Sequence, residues 1–458
     1  MRKIIENYSK IGAFNPEKWC FDVKFFEKLK NLSNGSLLNL FFKCIDILRS
    51  HWKIHFTLMY PSFYLYNQFE RFMEETFGIN DRNPIFQKLM QGLKNMVNNC
   101  NFRLISLAQQ AKNRGLTAIF KSDLDLTEIL KRLEIESKKW AESFREFLQV
   151  YGVRSDNPFD LYKETWLENP SKPLSFIRKL VLTDGEIMSR RRKIIEDREK
   201  TISDILMRLP ESQSDKFYKL LKAAQNAYCW NEDHNYWIEY FGFAVLRYVI
   251  LELGRRLHAN DCIKEATDIF FLNPDELKSL FLPAVYKGLS LNSVIKKRKI
   301  RWLNALSKQK KPPIISGDKI EIHENPIFSK LFGLPPPSID KPGPDIVGYP
   351  GSPGTVIGKA FVVTDLNQLY QIKEKCILVI SSLNPAWASV IPLLKGLITD
   401  FGGTLSHAAI ICREFGIPAV VGTMTATKVI KNEQTVKVDG DKGFAWVLSS
   451  TEFDFNEQ

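Results

Sequence analysis

The chain has 458 residues, 44% hydrophobic and 25% charged, which is enough for two or three globular domains and leaves no case for a disordered chain. Its formal charge of +12 is concentrated in the first 340 residues, where 54 basic side chains stand against 41 acidic ones, compared with 10 against 11 in the rest. The surplus fits an anionic partner or a solvated positive surface; with no apolar run fit to cross a bilayer and no leader-like start, the expectation is a cytoplasmic protein with no membrane partner.

Residues 1 to about 310 read as helix after helix, with apolar positions three and four apart. Residues 37–48 and 56–77 form two such stretches, interrupted at Pro61. His51, Trp52 and His55 lie between them at a spacing that puts both imidazoles on one helical face. With no third ligand close in sequence, this reads as a packed aromatic cluster. Residues 126–151 predict one long helix ending at Gly152. The basic runs 190–193 and 296–301 sit inside helical patterns without interleaved aromatics or a nucleic-acid motif. They read as solvated faces, and no nucleic-acid partner is expected. Seven cysteines without a Cys-x-x-Cys pair read as reduced thiols with no metal site.

The most apolar helix is predicted to open near Asn231 to Asn235 and to run to Leu257. Its first turn gathers Glu232, Asp233, His234 and Glu239. Two readings stand side by side there: His234 as a general base for an acceptor hydroxyl, or a cap by Asn231 or Asp233 beside an exposed histidine. Pro312, Pro313, Pro335 to Pro337, Pro342 and Pro344 then mark residues 312–345 as a stiff linker, dividing a helical region (1–311) from a turn-rich one (346–450) with a tail at 451–458. In the second region short apolar strands at 356–363, 376–381, 396–399, 419–421, 435–438 and 445–448 alternate with short helices. The fold class is α+β.

One stretch organises this second region. An apolar strand ending near Phe401 is followed by Gly402 and Gly403, Thr404, Leu405, Ser406 and His407, a helix over 408–415, Gly416, and a second strand after Pro418. His407 thus stands at a helix N-terminus, where unpartnered amides and a positive dipole favour an anion and disfavour a protonated ring. A neutral imidazole is a nucleophile, and Gly402 and Gly403 remove side chains that would obstruct a bulky phosphate donor.

The block Gly402, Gly403, Thr404, Leu405, Ser406, His407, Ala408, Ala409, with Arg413, Glu414 and Gly416 to Gly422 after it, resembles the phosphohistidine signature of the phosphoenolpyruvate-utilising family. Residues around 147–170, 231–257 and 268–272 are similar to the helical domain of the rifampin phosphotransferase group within it. Many of that group carry a histidine where Val153 stands here, which leaves Arg154 as a phosphate contact or a structural ion pair. The resemblance implies a large all-α domain followed by a small three-layer β/β/α swivelling domain, with His407 as phosphoryl carrier. It implies Gly402, Gly403, Thr404 and Ser406 at the phosphate, while Arg413 either neutralises it or pairs with an acid.

Full-length relatives of the family carry an ATP-grasp module, and neither a Gly-x-x-x-x-Gly-Lys-Ser/Thr loop nor a glycine-rich cradle is seen before the linker. ATP and Mg2+ are therefore expected on a separate ATP-grasp-type partner and not on this chain. The resulting reading is the acceptor-plus-carrier half of a split phosphotransferase. It passes a phosphoryl group from His407 to a hydroxyl of a small apolar molecule, His234 acting as base, and the phosphorylated hydroxyl is either retained or expelled in a net dehydration. The alternative is a non-catalytic phosphohistidine adaptor.

Overall fold

The computed structural model describes residues 2–183, 187–280, 290–307, 330–331, 333, 344–364, 368, 371–372, 375–383 and 385–448. Most of the expected linker, and the whole tail at 451–458, lie outside them. The α+β class is as expected, a helical region followed by a mixed sheet. Compactness groups the chain into two units that do not follow linear order. One comprises Met1–Phe56, Arg145–Pro170 and His234–Ile320; the other comprises Thr57–Phe144, Ser171–Asp233 and Glu321–Gln458.

The first unit is built on aromatic packing around the helix Phe241–Ala259, whose residues are buried on nearly every side. Tyr8 lies against Phe241 (ring centroids 4.7 Å apart), Phe14 against Trp237 (5.6 Å) and Phe21 against Tyr248 (5.3 Å). Phe14 and Phe21 face each other across a two-residue antiparallel pair, β1 (Phe14–Asn15) with β2 (Cys20–Phe21). His51, on the helix Asn34–Phe77, belongs to this core. It accepts at Nε2 from the Asn7 amide (3.2 Å), so its Nδ1–H donates to the Tyr8 hydroxyl (3.0 Å), which donates in turn to the Trp237 carbonyl (3.2 Å). Burial, with the N-terminus and Lys3 nearby, lowers its pKa to about 4 and keeps it neutral.

The loop between Tyr151 and Ser171 is pinned to the same helix. Arg247 makes a two-point ion pair with Glu168, at 2.8 Å on each side. Arg154 is 1% exposed and lies between the faces of Trp166 and Tyr240, each 5.1 Å from its guanidinium carbon. Its setting is structural.

The second unit contains an eight-stranded sheet: β3 (Ile346–Val347), β4 (Tyr349–Ser352), β5 (Thr355–Val363), β6 (Ile377–Ile380), β7 (Gly396–Thr399), β8 (Ala419–Val421), β9 (Thr435–Asp439) and β10 (Phe444–Leu448). The spatial order is β3-β10-β9-β5-β6-β7-β8-β4, with β5 to β8 parallel and the flanking pairs antiparallel. Strands β6, β7 and β8 read as continuous apolar sequence because both faces are covered; Ile377, Val379, Ile398 and Val420 are 0% exposed in the core. The helix Ile187–Arg208 packs on Pro84–Leu89 and on the helix His407–Phe415 that follows β7.

Three expectations about helices are corrected. The helix Asn34–Phe77 runs through Pro61 as one element of 44 residues; Pro61 lies on its exposed face, where water can serve the carbonyl its missing N–H leaves behind. The stretch 126–151 is two helices, Leu126–Glu136 and Lys138–Tyr151, broken at Ser137, whose hydroxyl accepts from the Trp140 amide. No helix opens at Asn231. The helix Glu211–His234 passes into a π-helical turn, Asn235–Tyr240, and then into Phe241–Ala259. The polar residues that resemble a cap are accommodated there by tertiary partners.

Gly242 lies where a Cβ would come within 2.5 Å of Leu48 Cδ2 and 2.6 Å of the Tyr8 hydroxyl. Gly242→Ala gains about 1 kcal/mol of helix propensity but displaces a hydroxyl that serves two buried partners. A net loss of roughly 1–2 kcal/mol in urea unfolding is expected.

Candidate functional site

His407 is the first residue of its helix, and the local sequence explains why the helix starts there. Ser406 is the N-cap, its hydroxyl accepting from the Ala409 amide at 3.4 Å, and Gly416 closes the helix in the left-handed conformation at φ 60°. The approach from β7 turns at Gly402, φ +119°, where a Cβ would sit 2.9 Å from both Cβ and Oγ of Ser406. Any other residue would push the capping serine aside. The loop is strapped by a neighbouring segment, Gly403 donating to the Leu331 carbonyl (3.1 Å) and Leu405 to that of Lys330 (2.7 Å). Asp400, 4% exposed, accepts from the Thr427 amide at 3.0 Å and fixes the start of the turn.

The imidazole of His407 is 29% exposed, and its Nδ1 lies 3.1 and 3.0 Å from the two oxygens of Glu232, a side chain with 0% exposure. A carboxylate only accepts, so Nδ1 carries the proton, and in the neutral ring the lone pair is on Nε2. The ring borders a cavity of about 270 Å³ whose wall includes Gly402, Ser406, Phe401, Leu405 and Asn231. Such a site can take an electrophilic phosphorus on Nε2 and hold the resulting charge against a fixed carboxylate.

Of the five residues expected at the phosphate, the structure brings Gly402 and Ser406 to the cavity with His407. The other three are occupied in holding the loop. Gly403 spends its amide on Leu331, and Thr404 is 2% exposed and donates to Asp81 at 2.7 Å. Arg413 is also 2% exposed and donates to the carbonyls of Gly351 and Thr404. Burial works against its charge, but the phenols of Tyr228 and Tyr66 and the Asp81 carboxylate more than offset that and keep it cationic. Asp81 also belongs to a polar cluster: its carboxylate lies 3.7 Å from the Lys330 ammonium, and its backbone amide donates to Glu70 at 3.2 Å.

His234, the other catalytic candidate, belongs to the first unit and is 8% exposed. Its ring lies 4.4 Å from that of His55 at 66°. The largely apolar cavity of that unit, about 370 Å³, is lined farther along the helix by Leu246, Ile250, Ile269, Phe270 and Trp302, not by the residues at 233–236. Asp233 accepts from the Met96 amide at 2.6 Å, and burial, partly opposed by that bond, raises its pKa to about 6. The pairing of Glu232 with His407 spans 175 positions and had no sequence signal; Glu232 was grouped with His234 only because it is near it in the chain.

The profile of the mobile domain of phosphoenolpyruvate-utilising enzymes matches residues 372–443, which include the whole signature loop and its helix. This region of the chain is similar to the mobile domain of the phosphoenolpyruvate-utilising enzymes. The fourth domain of rifampicin phosphotransferase matches residues 55–232, a range that ends on Glu232. An uncharacterized phosphotransferase of Bacillus subtilis, YvkC, is 27% identical over 420 residues, covering 90% of this chain and 49% of its own. A rifampicin phosphotransferase of Bacillus cereus is 28% identical over 319 residues (68% and 35%), and a probable phosphoenolpyruvate synthase of Pyrococcus horikoshii 42% over 99 residues (22% and 12%). The chain thus spans about half or less of the length of these relatives, which are phosphotransferases by name in the first two cases.

Glu414, on the same helix as His407, has 0% exposure and accepts from the Leu93 amide at 3.3 Å. Burial raises its pKa from 4.5 to about 8, although that bond and the charges of Arg191, Arg198 and Arg413 oppose the shift. The folded state therefore keeps a proton that the unfolded chain loses near pH 4.5. The contribution to stability is full below that pH and is lost as pH rises through about 8. Glu414→Gln keeps an acceptor for Leu93 without the titration. Its Tm should exceed the wild-type value at pH 9, by roughly 5 °C, with little difference at pH 5 in melts across that range.

Proposed function

We propose that this chain is the acceptor-plus-carrier part of a phosphotransferase in which His407 relays a phosphoryl group. The observation that carries the reading is the carboxylate of Glu232 on Nδ1 of His407, with the ring at the edge of a cavity and the histidine at a capped helix start. In the first half-reaction Nε2 attacks the terminal phosphorus of a nucleoside triphosphate held by an ATP-grasp-type partner. The N–P bond forms, the P–O bond to the diphosphate breaks, and magnesium on the partner stabilises the leaving oxygens. Glu232 has two tasks: it fixes the tautomer, and it stabilises the positive ring that exists while the phosphorus is between donors.

In the second half-reaction the sheet domain swings, a hydroxyl oxygen of a small, largely apolar molecule attacks the phosphorus, and the N–P bond breaks with its electrons returning to Nε2. The first unit supplies the acceptor side in this reading, with its apolar cavity for the body of the molecule and the histidine pair around His234 for the hydroxyl. The relatives' names support phosphoryl transfer as the chemistry.

The test needs no identified partner for its first arm. Phosphoramidate, a small-molecule donor to imidazoles, should label the purified chain with an acid-labile, base-stable phosphate located at His407. His407→Ala should remove that label, and Glu232→Gln should slow labelling by about tenfold or more without unfolding the chain. A second arm with ATP and a candidate ATP-grasp protein should label the same residue; label that persists elsewhere in His407→Ala overturns the carrier reading.

A further inference from the structure

We propose that His55, His234 and Glu239 are the ligand set of a divalent transition-metal ion of the zinc class. All three belong to the first unit, and one ligand atom from each lies within 4.8 Å of the other two. The backbone has been altered to bring them together. On an α-helix, residues five apart point about 140° away from each other, so His234 and Glu239 would face different neighbours. Here the helix widens into a π-turn over Asn235–Tyr240, and i to i+5 pairing stacks Glu239 over His234. A π-turn costs hydrogen-bond geometry, and here it coincides with the convergence of a carboxylate and two imidazoles.

The third member is distinguished by contrast with its neighbour on the same face. His51, one turn earlier, has a partner on each nitrogen. His55 has a buried Nδ1 with no hydrogen-bond partner among the described residues, although a buried ring nitrogen is ordinarily satisfied. Its ring is walled by Trp52 and Phe56, each 4.8 Å away. His234 and Glu239 are each 8% exposed. Two imidazoles and one carboxylate suit zinc, cobalt or iron; magnesium and calcium take oxygen donors. Three protein ligands leave one position open, as in catalytic sites.

Only the task of the ion rests on the function proposed above. In that setting a hydroxyl bound in the open position would be acidified and lose its proton to water, and its oxygen would then attack the phosphorus. His234 would act as a ligand and not as the base.

The experiment uses the full chain, stripped with a chelator and titrated with Zn2+ by calorimetry and with Co2+ by absorption. One ion per chain is expected, with a Co2+ spectrum free of thiolate charge-transfer bands, which separates this site from the seven cysteines. His55→Ala and Glu239→Gln should each weaken binding by about tenfold or more, and circular dichroism confirms that they fold. Glu239→Gln is nearly isosteric and guards against a misfolded alanine variant. His407→Ala should bind the ion like the wild type. No binding by the wild-type chain, or equal binding by folded His55→Ala and Glu239→Gln, overturns the inference. Phosphate labelling at His407 in that same preparation would leave the carrier reading standing.

Discussion

The burial of a carboxylate against a half-open imidazole is the constraint on which the histidine site depends. Glu232 has lost its water entirely, and the Nδ1–H of His407, 3.1 and 3.0 Å from its two oxygens, stands in for it. The cost of that desolvation is the reason the ring can be trusted to hold one tautomer. Everything around it serves to keep the ring in place: the serine cap, the turn that only glycine can make, and the strap from residues 330 and 331. A loop left to itself would fray; this one is bonded from three sides.

Charge is managed differently along the helix behind it. Arg413 and Glu414 are adjacent in sequence and both buried, yet they point to different surroundings. Arg413 finds carbonyls and phenols, and Glu414 finds one amide with the guanidinium groups of Arg191 and Arg198 nearby. Arg191, drawn from a run that sequence alone assigns to solvent, lies 3.3 Å over the Phe102 ring and faces Glu414. Its neighbours Arg190, Arg192 and Lys193 are exposed as expected. A run of like charges on a helix need not share one fate, because 100° per residue sends one member inward.

The strands of the sheet were legible because parallel, doubly covered strands are short apolar runs between turn residues. The histidine was legible because its loop, cap and helix are contiguous. Local signals failed where partners come from far away. Glu232 and His234 are two residues apart and belong to different compact units, so their proximity in sequence suggested one site where there are two separate settings. The polar cluster at 231–235 imitated a helix start because Asn, Asp and Glu are what caps look like. Only their tertiary partners explain why a helix tolerates them in mid-course. His55 looked like half of a pair with His51, yet one is locked into the aromatic core and the other is turned toward a different helix. The resemblance implies Thr404 at the phosphate and leaves Arg413 either there or paired with an acid, and the contacts that hold them come from Asp81 and from the carbonyls of Gly351 and Thr404.

The π-turn is, in genetic terms, a surplus of one codon. An α-helix becomes π-helical locally when it accommodates a single inserted residue. Deleting any one residue of Asn235–Tyr240 would restore the ordinary pitch and rotate the rest of the helix by about 100° relative to His234. Glu239 would leave the imidazole it stands over, and the buried faces of Gly242 and Arg247 would turn away from Tyr8 and Glu168. Substitutions there can be compensated by repacking; a change in length cannot. Among sequences of this kind, the spacing between these two residues is therefore a sharper marker of the histidine–carboxylate pair than the identity of any side chain between them.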